Sequence, residues 1–252
     1  MKNALTIAIE KLEEEPYASI ICYPRPSGAE LKKRLKELQR LGVKALEFAG
    51  EKEACNLSVL GKGCVGIVAI AHVNGEKVAL KIRRVDADRS RMQREAEMLR
   101  KANLVRVGPR LLAVSKNFLL MQFIDGDLLP RWLEKCRGKV LLREILREVL
   151  EQCWRLDKAG LDHGELSHAP KHIIIDRRGK PFIVDFETAS MNRKVSNVTS
   201  ICQFLFIIGL VAEKVNEKLG GKDRKAIIEA LRCYKNDKTR ENFEHALEAC
   251  RL

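Results

Sequence analysis

A chain of 252 residues with 46% hydrophobic content can bury the core of one large domain or of two smaller lobes. Lys and Arg total 47 against 34 Asp and Glu, leaving +13, which points to a polyanionic partner or, as the alternative, to a solvated charged surface. Eight scattered cysteines without a Cys-x-x-Cys pair argue against a metal or disulfide framework, and neither a signal peptide nor a membrane span is expected, so a cytoplasmic location is.

In chain order, Lys2 to Glu15 reads as a helix, with Glu10, Glu13, Glu14 and Glu15 interrupting any leader-like apolar run. Ala18 to Tyr23 reads as a strand closed by Pro24 and Pro26. Ser27 with Glu30 makes a capping box for a helix whose apolar stripe is Leu31, Leu35 and Leu38, ending near Gly42. These residues make 1–54 an accessory segment. From Cys55 to Ile82 the pattern is β, and Asn74-Gly75 between two apolar runs signals a hairpin. A helix over Asp88 to Ala102 follows, then strands at Leu111 to Val114 and Phe118 to Gln122, completing a β-rich lobe over 55–124. Asp125-Gly126-Asp127 marks the crossing into a mainly helical lobe over 125–252. That lobe has a long helix from Lys139 to Lys158, stopped by Gly160. Ile173 to Ile175 and Phe182 to Asp185 form a hairpin turning at Arg177-Arg178-Gly179-Lys180. Helices then start near Thr199, Lys222 and Asp237. The longest apolar run, Ile201 to Val211, reads as a buried helix and falls short of the roughly 20 residues of a membrane span. The fold class is α+β with two lobes.

Cations cluster in three places. Lys32, Lys33, Arg34, Lys36 and Arg40 lie on the early helix; Arg83, Arg84, Arg89, Arg91 and Arg94 surround the start of the next; Arg131, Lys135, Arg137, Lys139, Arg143 and Arg147 form the third group.

Five short motifs in fixed order carry the chemistry, that of moving a phosphoryl group from a nucleotide triphosphate. Gly61, Gly63 and Gly66 allow backbone to approach phosphates, and Val68 and Ala79 join the nucleotide-binding set. Lys81 on the next strand reaches the phosphates, with Glu95 as its anchor and Glu97 as the rival on the same helix. Met121, Gln122 and Ile124 make the stretch whose backbone would read an adenine edge. Asp185, after Ile183-Val184, is the expected Mg²⁺ ligand, since a carboxylate supplies a hard oxygen. In His163-Gly164-Glu165-Leu166-Ser167-His168-Ala169-Pro170-Lys171-His172, Glu165 stands where kinases carry the catalytic aspartate, with His163 in the same catalytic segment. His172 takes the asparagine-like position of a loop two residues longer, as a nucleotide or second-metal contact.

These motifs resemble the small archaeal and RIO-type atypical kinases, related to the minimal kinase subunit of the KEOPS tRNA-modification complex. His-Gly-Glu-Leu-Ser and Val-Asp-Phe-Glu are similar to that group's His-Gly-Asp-Leu-Ser and Asp-Phe patterns. The resemblance implies a two-lobed kinase fold using ATP and Mg²⁺. Within the group it extends to an archaeal kinase acting on an internal ribose 2′-hydroxyl of a uridine in tRNA. A serine/threonine protein kinase or ATPase of RIO type stays as the alternative, with protein as acceptor.

Overall fold

The computed structural model describes residues 4–221 and 223–252, with Arg89 described by its backbone alone. Two units emerge, one of Met1–Arg100 with Pro109–Phe123, the other of Lys101–Gly108 with Ile124–Leu252.

The first unit is built on an antiparallel sheet of seven strands. Strand β1 (Leu5–Ala8) pairs with β2 (Val43–Phe48), and helices α1 (Tyr17–Ile21) and α2 (Gly28–Arg40) lie between them in sequence. A small ribbon, β3 (Lys52–Ala54) with β4 (Leu57–Val59), precedes β5 (Gly61–Lys62), β6 (Gly66–Val73) and β7 (Glu76–Arg83). Helix α3 (Arg89–Leu104), β8 (Leu111–Val114) and β9 (Phe118–Gln122) complete the order β1-β2-β6-β7-β9-β8, with β5 on β6. Asn74 at φ +50° and Gly75 at φ +82° make the two-residue turn that joins β6 to β7 in register Val73↔Glu76. Alternating Ile67, Ala69 and Ala71 on β6, with Leu80 and Ile82 on β7, are fully buried, while Leu12, Ile20 and Leu38 from the amino-terminal segment enter the same core.

The amino terminus inverts the reading from sequence. Residues 1–3 of the expected first helix lie outside the described residues. The rest gives strand β1 and one turn of 3-10 helix at Ile9–Lys11 instead. Thr6 and Ile7 suit a half-covered edge strand. Ala18, Ile20, Ile21 and Cys22, expected as a strand, form the buried turns of α1 and its end. A short apolar run fits a buried helix as well as a strand, because burial on all sides erases the periodicity that separates them. Helix α2 starts after Ser27 as expected, yet the Ser27 side chain accepts no capping bond, and Glu30 accepts from Arg34 Nε at 2.9 Å.

The second unit begins with β10 (Gly126–Leu128) and helices α4 (Leu129–Lys135) and α5 (Lys139–Lys158). The ribbon β11 (Ile173–Asp176) and β12 (Pro181–Ile183) pairs with β10 in the order β10-β11-β12. Asp176 Oδ1 accepts from the N–H groups of Arg178 and Lys180 at 2.9 and 2.8 Å, which fixes the expected turn. Ile145, Val149, Cys153 and Asp157 recur every fourth residue on the buried face of α5. Helix α6 (Asn197–Cys202) runs into a π turn at Gln203–Ile207, then α7 (Leu210–Leu219), α8 (Arg224–Asn236) and α9 (Arg240–Ala249) follow. Asp223 and Thr239 cap α8 and α9. Lys222, the expected start of α8, lies outside the described residues.

The apolar run Ile201–Val211 is not one buried helix. It breaks at Ile208 and Gly209 (φ +92°), leaving Ile208 and Leu210 exposed at 58% and 75%. Among the described residues no single helix is long and apolar enough to cross a membrane.

Candidate active site

In the first unit, Lys81 points from the middle of β7, opposite Val68 of β6, and its Nζ lies 2.6 Å from Glu95 Oε2 on α3. Both side chains are nearly sealed from solvent, so the pair sits at low local dielectric, where removing one partner is costly. Glu97, the rival, is exposed, about 200° around the helix from Glu95 and away from the side that buries Leu99.

The glycine hairpin shows three different uses of glycine. Gly61 pairs with Val68, and a Cβ on it would make ordinary contact with that side chain at 3.5 Å. Gly63 closes the tip through its N–H to Gly66 O at 2.9 Å, and a Cβ there would meet nothing nearer than 4.0 Å. At Gly66 a Cβ would sit 2.5 Å from Ile82 O, so this glycine is required by the packing of β6 on β7 before any ligand is considered. Ala79 is buried on β7 opposite Met121 of β9, and Gln122 ends that strand; Val68 and Met121 are half-buried.

Ile124 belongs to the second unit, with Glu165, His163, His172 and Asp185. Here the chain builds its site from the core outward. Asp157 Oδ1 accepts from Asn197 N and Nδ2 at 2.9 and 2.8 Å, and Asp157 Oδ2 accepts from Tyr234 Oη at 2.9 Å. Burial pushes the Asp157 carboxyl above its usual range against these bonds, and pushes the Tyr234 hydroxyl up as well. Asn197 Oδ1 then accepts from His163 N at 2.8 Å, so the end of α5 and the start of α6 together place His163. Sequence reasoning missed Asp157 and Asn197. The available signal was a carboxylate as the fourth member of an i, i+4 apolar stripe.

His163 is fully buried, and its Nε2 donates to Val184 O at 3.1 Å. The carbonyl can only accept, so the proton belongs on Nε2 and Nδ1 stays bare. Val184 N in turn donates to His172 O at 2.9 Å. Val184, just before Asp185, is thus held through both its N–H and its carbonyl, and Asp185 itself leaves the strand direction at φ +70°. That is why β12 ends at Ile183 and not at Asp185 as expected: a left-handed residue cannot continue the ladder, and aspartate tolerates it better than most. Phe186 is buried with its ring against the His163 edge at 5.1 Å.

His172 Nε2 comes within 2.7 Å of Glu165 Oε2, without the alignment of a hydrogen bond, and Nδ1 stands 4.0 Å from Asp185 Oδ2. The His172 ring is 1% exposed, while Glu165 and Asp185 are 37% exposed. Arg193 donates to Asp162 Oδ2 at 3.0 Å and to Thr188 O at 2.7 Å, and a Cβ on Gly164 (φ +91°) would run into its guanidinium. The guanidinium can move aside, so it is the left-handed φ that favours glycine in that motif.

Among the described residues no three His, Cys, Asp or Glu side chains gather into a metal cage. Magnesium in phosphoryl transfer needs only one or two carboxylates besides the phosphates. Asp185, an oxygen donor on a pinned backbone, fits that need. His172 does not: imidazole is a poor magnesium ligand and this one is turned onto Glu165.

The cationic groups divide. Lys32, Lys33, Lys36 and Arg40 are exposed on one face of α2, as are Arg91 and Arg94 on α3. Arg34 and Arg83 are not surface charges. Arg34 Nη1 donates to Ile21 O and Arg83 O at 2.7 and 2.6 Å, and both guanidinium groups donate to Asn117 Oδ1. Asn117 Nδ2 donates to Glu37 at 2.7 Å, so these two cations serve as buried hydrogen-bond hubs. The side chain of Arg89 lies outside the described residues. Arg84 pairs with Asp86, Arg131 and Lys135 with Asp127, and Arg147 with Glu244, while α2 keeps four exposed cations on one face.

A pH dependence of stability follows from His163. Burial, with His172 nearby, depresses its pKa to about 4. The unfolded chain then takes up a proton that the native ring refuses. Stability is full above about pH 6.5 and falls as pH drops toward 4, by roughly 3 kcal/mol. Melting temperature against pH should show this decline, and His163→Asn should flatten it; an unchanged slope in the variant would count against the assignment.

The chain matches the RIO domain family over residues 69–198, more than half its length. It is 31% identical over 117 residues to an uncharacterized protein of Methanocaldococcus jannaschii, covering 98% of that protein and 46% of this chain. It is also 34% identical over 119 residues to the KEOPS complex subunit Bud32 of Pyrococcus abyssi, spanning 50% of that relative and 46% of this chain. With a β-sheet unit that carries a buried lysine–glutamate pair and a helical unit that carries the two histidines and two carboxylates, the chain belongs to the RIO family and is an atypical kinase.

Proposed function

We propose that this protein is an ATP- and Mg²⁺-dependent RNA kinase that phosphorylates an internal ribose 2′-hydroxyl of tRNA, at a uridine near the variable loop. The observation that carries the choice of RNA is the exposed face of α2. Lys32, Lys36 and Arg40 recur at i, i+4 with Lys33 beside them. Like charges at that spacing destabilise a helix by a few tenths of a kcal/mol each unless an anion sits on them. The similarity to a KEOPS subunit gives the reading a second support.

Lys81, anchored by Glu95, would hold the phosphates of the nucleotide. Mg²⁺ on Asp185 would draw charge from the β- and γ-phosphate oxygens. Glu165 would take the proton as the acceptor O–H bond breaks, the new O–P bond forms, and the bond from the γ-phosphorus to its bridging oxygen breaks with its electron pair leaving on ADP.

Labelled ATP offered with bulk tRNA or with a casein-like protein separates the two acceptors. Transfer to tRNA, weakening steeply as salt rises, is the expected result. Neutralising Lys33 and Lys36 should raise the KM for tRNA and flatten the salt slope while leaving nucleotide binding alone. Label on the protein alone, or salt-independent tRNA affinity, would return the chain to protein kinases.

A further inference from the structure

We propose that His172 is a positioning residue that selects the working rotamer of Glu165, so that the two side chains act as one matched pair. The inference rests on the reading that Glu165 receives the acceptor proton.

The two partners differ in freedom. Glu165 follows Gly164, is 37% exposed, and has three side-chain torsions to settle. His172 has almost none left. Its backbone N–H donates to Ala169 O at 3.3 Å and its carbonyl accepts from Val184 N at 2.9 Å. Its ring stands edge-on to His163 at 5.4 Å and 76°, and His163 is fixed by Val184 O. The imidazole is therefore a rigid wall with one nitrogen at each carboxylate, Nε2 at 2.7 Å from Glu165 and Nδ1 at 4.0 Å from Asp185. Neither buried ring nitrogen has an aligned hydrogen bond among the described residues, so both remain turned to the two carboxylates.

This geometry also accounts for the two departures from the kinase pattern in one loop. Glutamate is one methylene longer than aspartate, and a fixed group behind it is needed to hold its carboxylate back. The side chain that does so stands where kinases carry asparagine. The substitutions Glu165 and His172 compensate each other, and either alone would misplace the base. A misplacement of about 1 Å is enough to cost large factors in rate.

The test measures single-turnover transfer to tRNA, basal ATP hydrolysis without RNA, ATP affinity and melting temperature. It compares wild type, His172→Asn, His172→Gln, Glu165→Asp and the double variant Glu165→Asp/His172→Asn. Each of His172→Asn and Glu165→Asp should lower the rate about 10-fold at saturating ATP, with ATP affinity within about twofold. The double variant should lose no more than one single variant does, the mark of coupled residues. His172→Gln, which can still reach the carboxylate, should recover part of the rate. Multiplying losses overturn the proposal. So does weaker ATP binding or a higher Mg²⁺ requirement with a normal saturated rate, which would make His172 a ligand of nucleotide or metal. A lower melting temperature with unchanged rates would make it structural and overturn it too. If wild type hydrolyses ATP but spares tRNA, the RNA reading fails while the pair is still decided on hydrolysis, where water is the acceptor. A wild-type protein with neither activity would end both.

Discussion

Asp185→Ala and Lys81→Ala should each leave well under about a tenth of wild-type phosphotransfer, since positioning and electrostatics supply most of the rate in this chemistry. The two variants should differ in stability. Removing Lys81 takes a 2.6 Å partner from Glu95, whose side chain is 4% exposed, and breaking a buried pair from one side costs about 3–5 kcal/mol. Lys81→Ala/Glu95→Gln should therefore recover melting temperature without recovering turnover. Asp185→Ala removes a half-exposed carboxylate but puts alanine at φ +70°, a cost on the order of 1 kcal/mol. Asp185→Asn keeps that backbone and should be as inactive as Asp185→Ala with a higher melting temperature. Turnover above about a tenth of wild type in a folded Asp185 variant would remove this residue from the site.

Glu165→Gln should reduce turnover by roughly 10²-fold while ATP affinity changes little, because the amide keeps the shape and loses the base. Single-turnover rates and nucleotide binding, measured together, separate the possibilities. Lost nucleotide binding with a normal rate at saturation would make Glu165 a metal or structural residue. The contact with His172 sharpens the expectation, since glutamine at this position still occupies the space against the buried ring.

The elements legible in the sequence were those whose signals are local. Asn74-Gly75 needs two left-handed residues in a row and has them; α5 spans Lys139–Lys158 because its stripe holds for five turns. The choice of Glu95 over Glu97 for the contact with Lys81 also follows from helical geometry alone. The unreadable features depend on partners distant in sequence. Arg34 counts as a surface cation until the fold brings to it the carbonyls of Ile21 and Arg83, 13 and 49 residues away. The break at Ile208-Gly209 interrupts a run that hydropathy alone reads as continuous. His172 could be taken for a ligand because the sequence gives no distance to Glu165, and only the folded loop turns the ring away from that role.

The buried arginine hub makes the stretch that matches the RIO family smaller than the folding unit. The RIO match begins at residue 69, inside β6, yet Arg83 and Asn117 within the match complete their bonding with Arg34 and Glu37 from outside it. Strand β2, also outside, pairs with β6 along Val43–Glu47, and Leu12, Ile20 and Leu38 fill the same core. The amino-terminal segment is thus an integral part of the sheet unit, not a detachable appendage. Removing that stretch would uncover one edge of β6 and strip the Arg83–Asn117 hub of Arg34 and Glu37, so it should unfold the sheet unit with it.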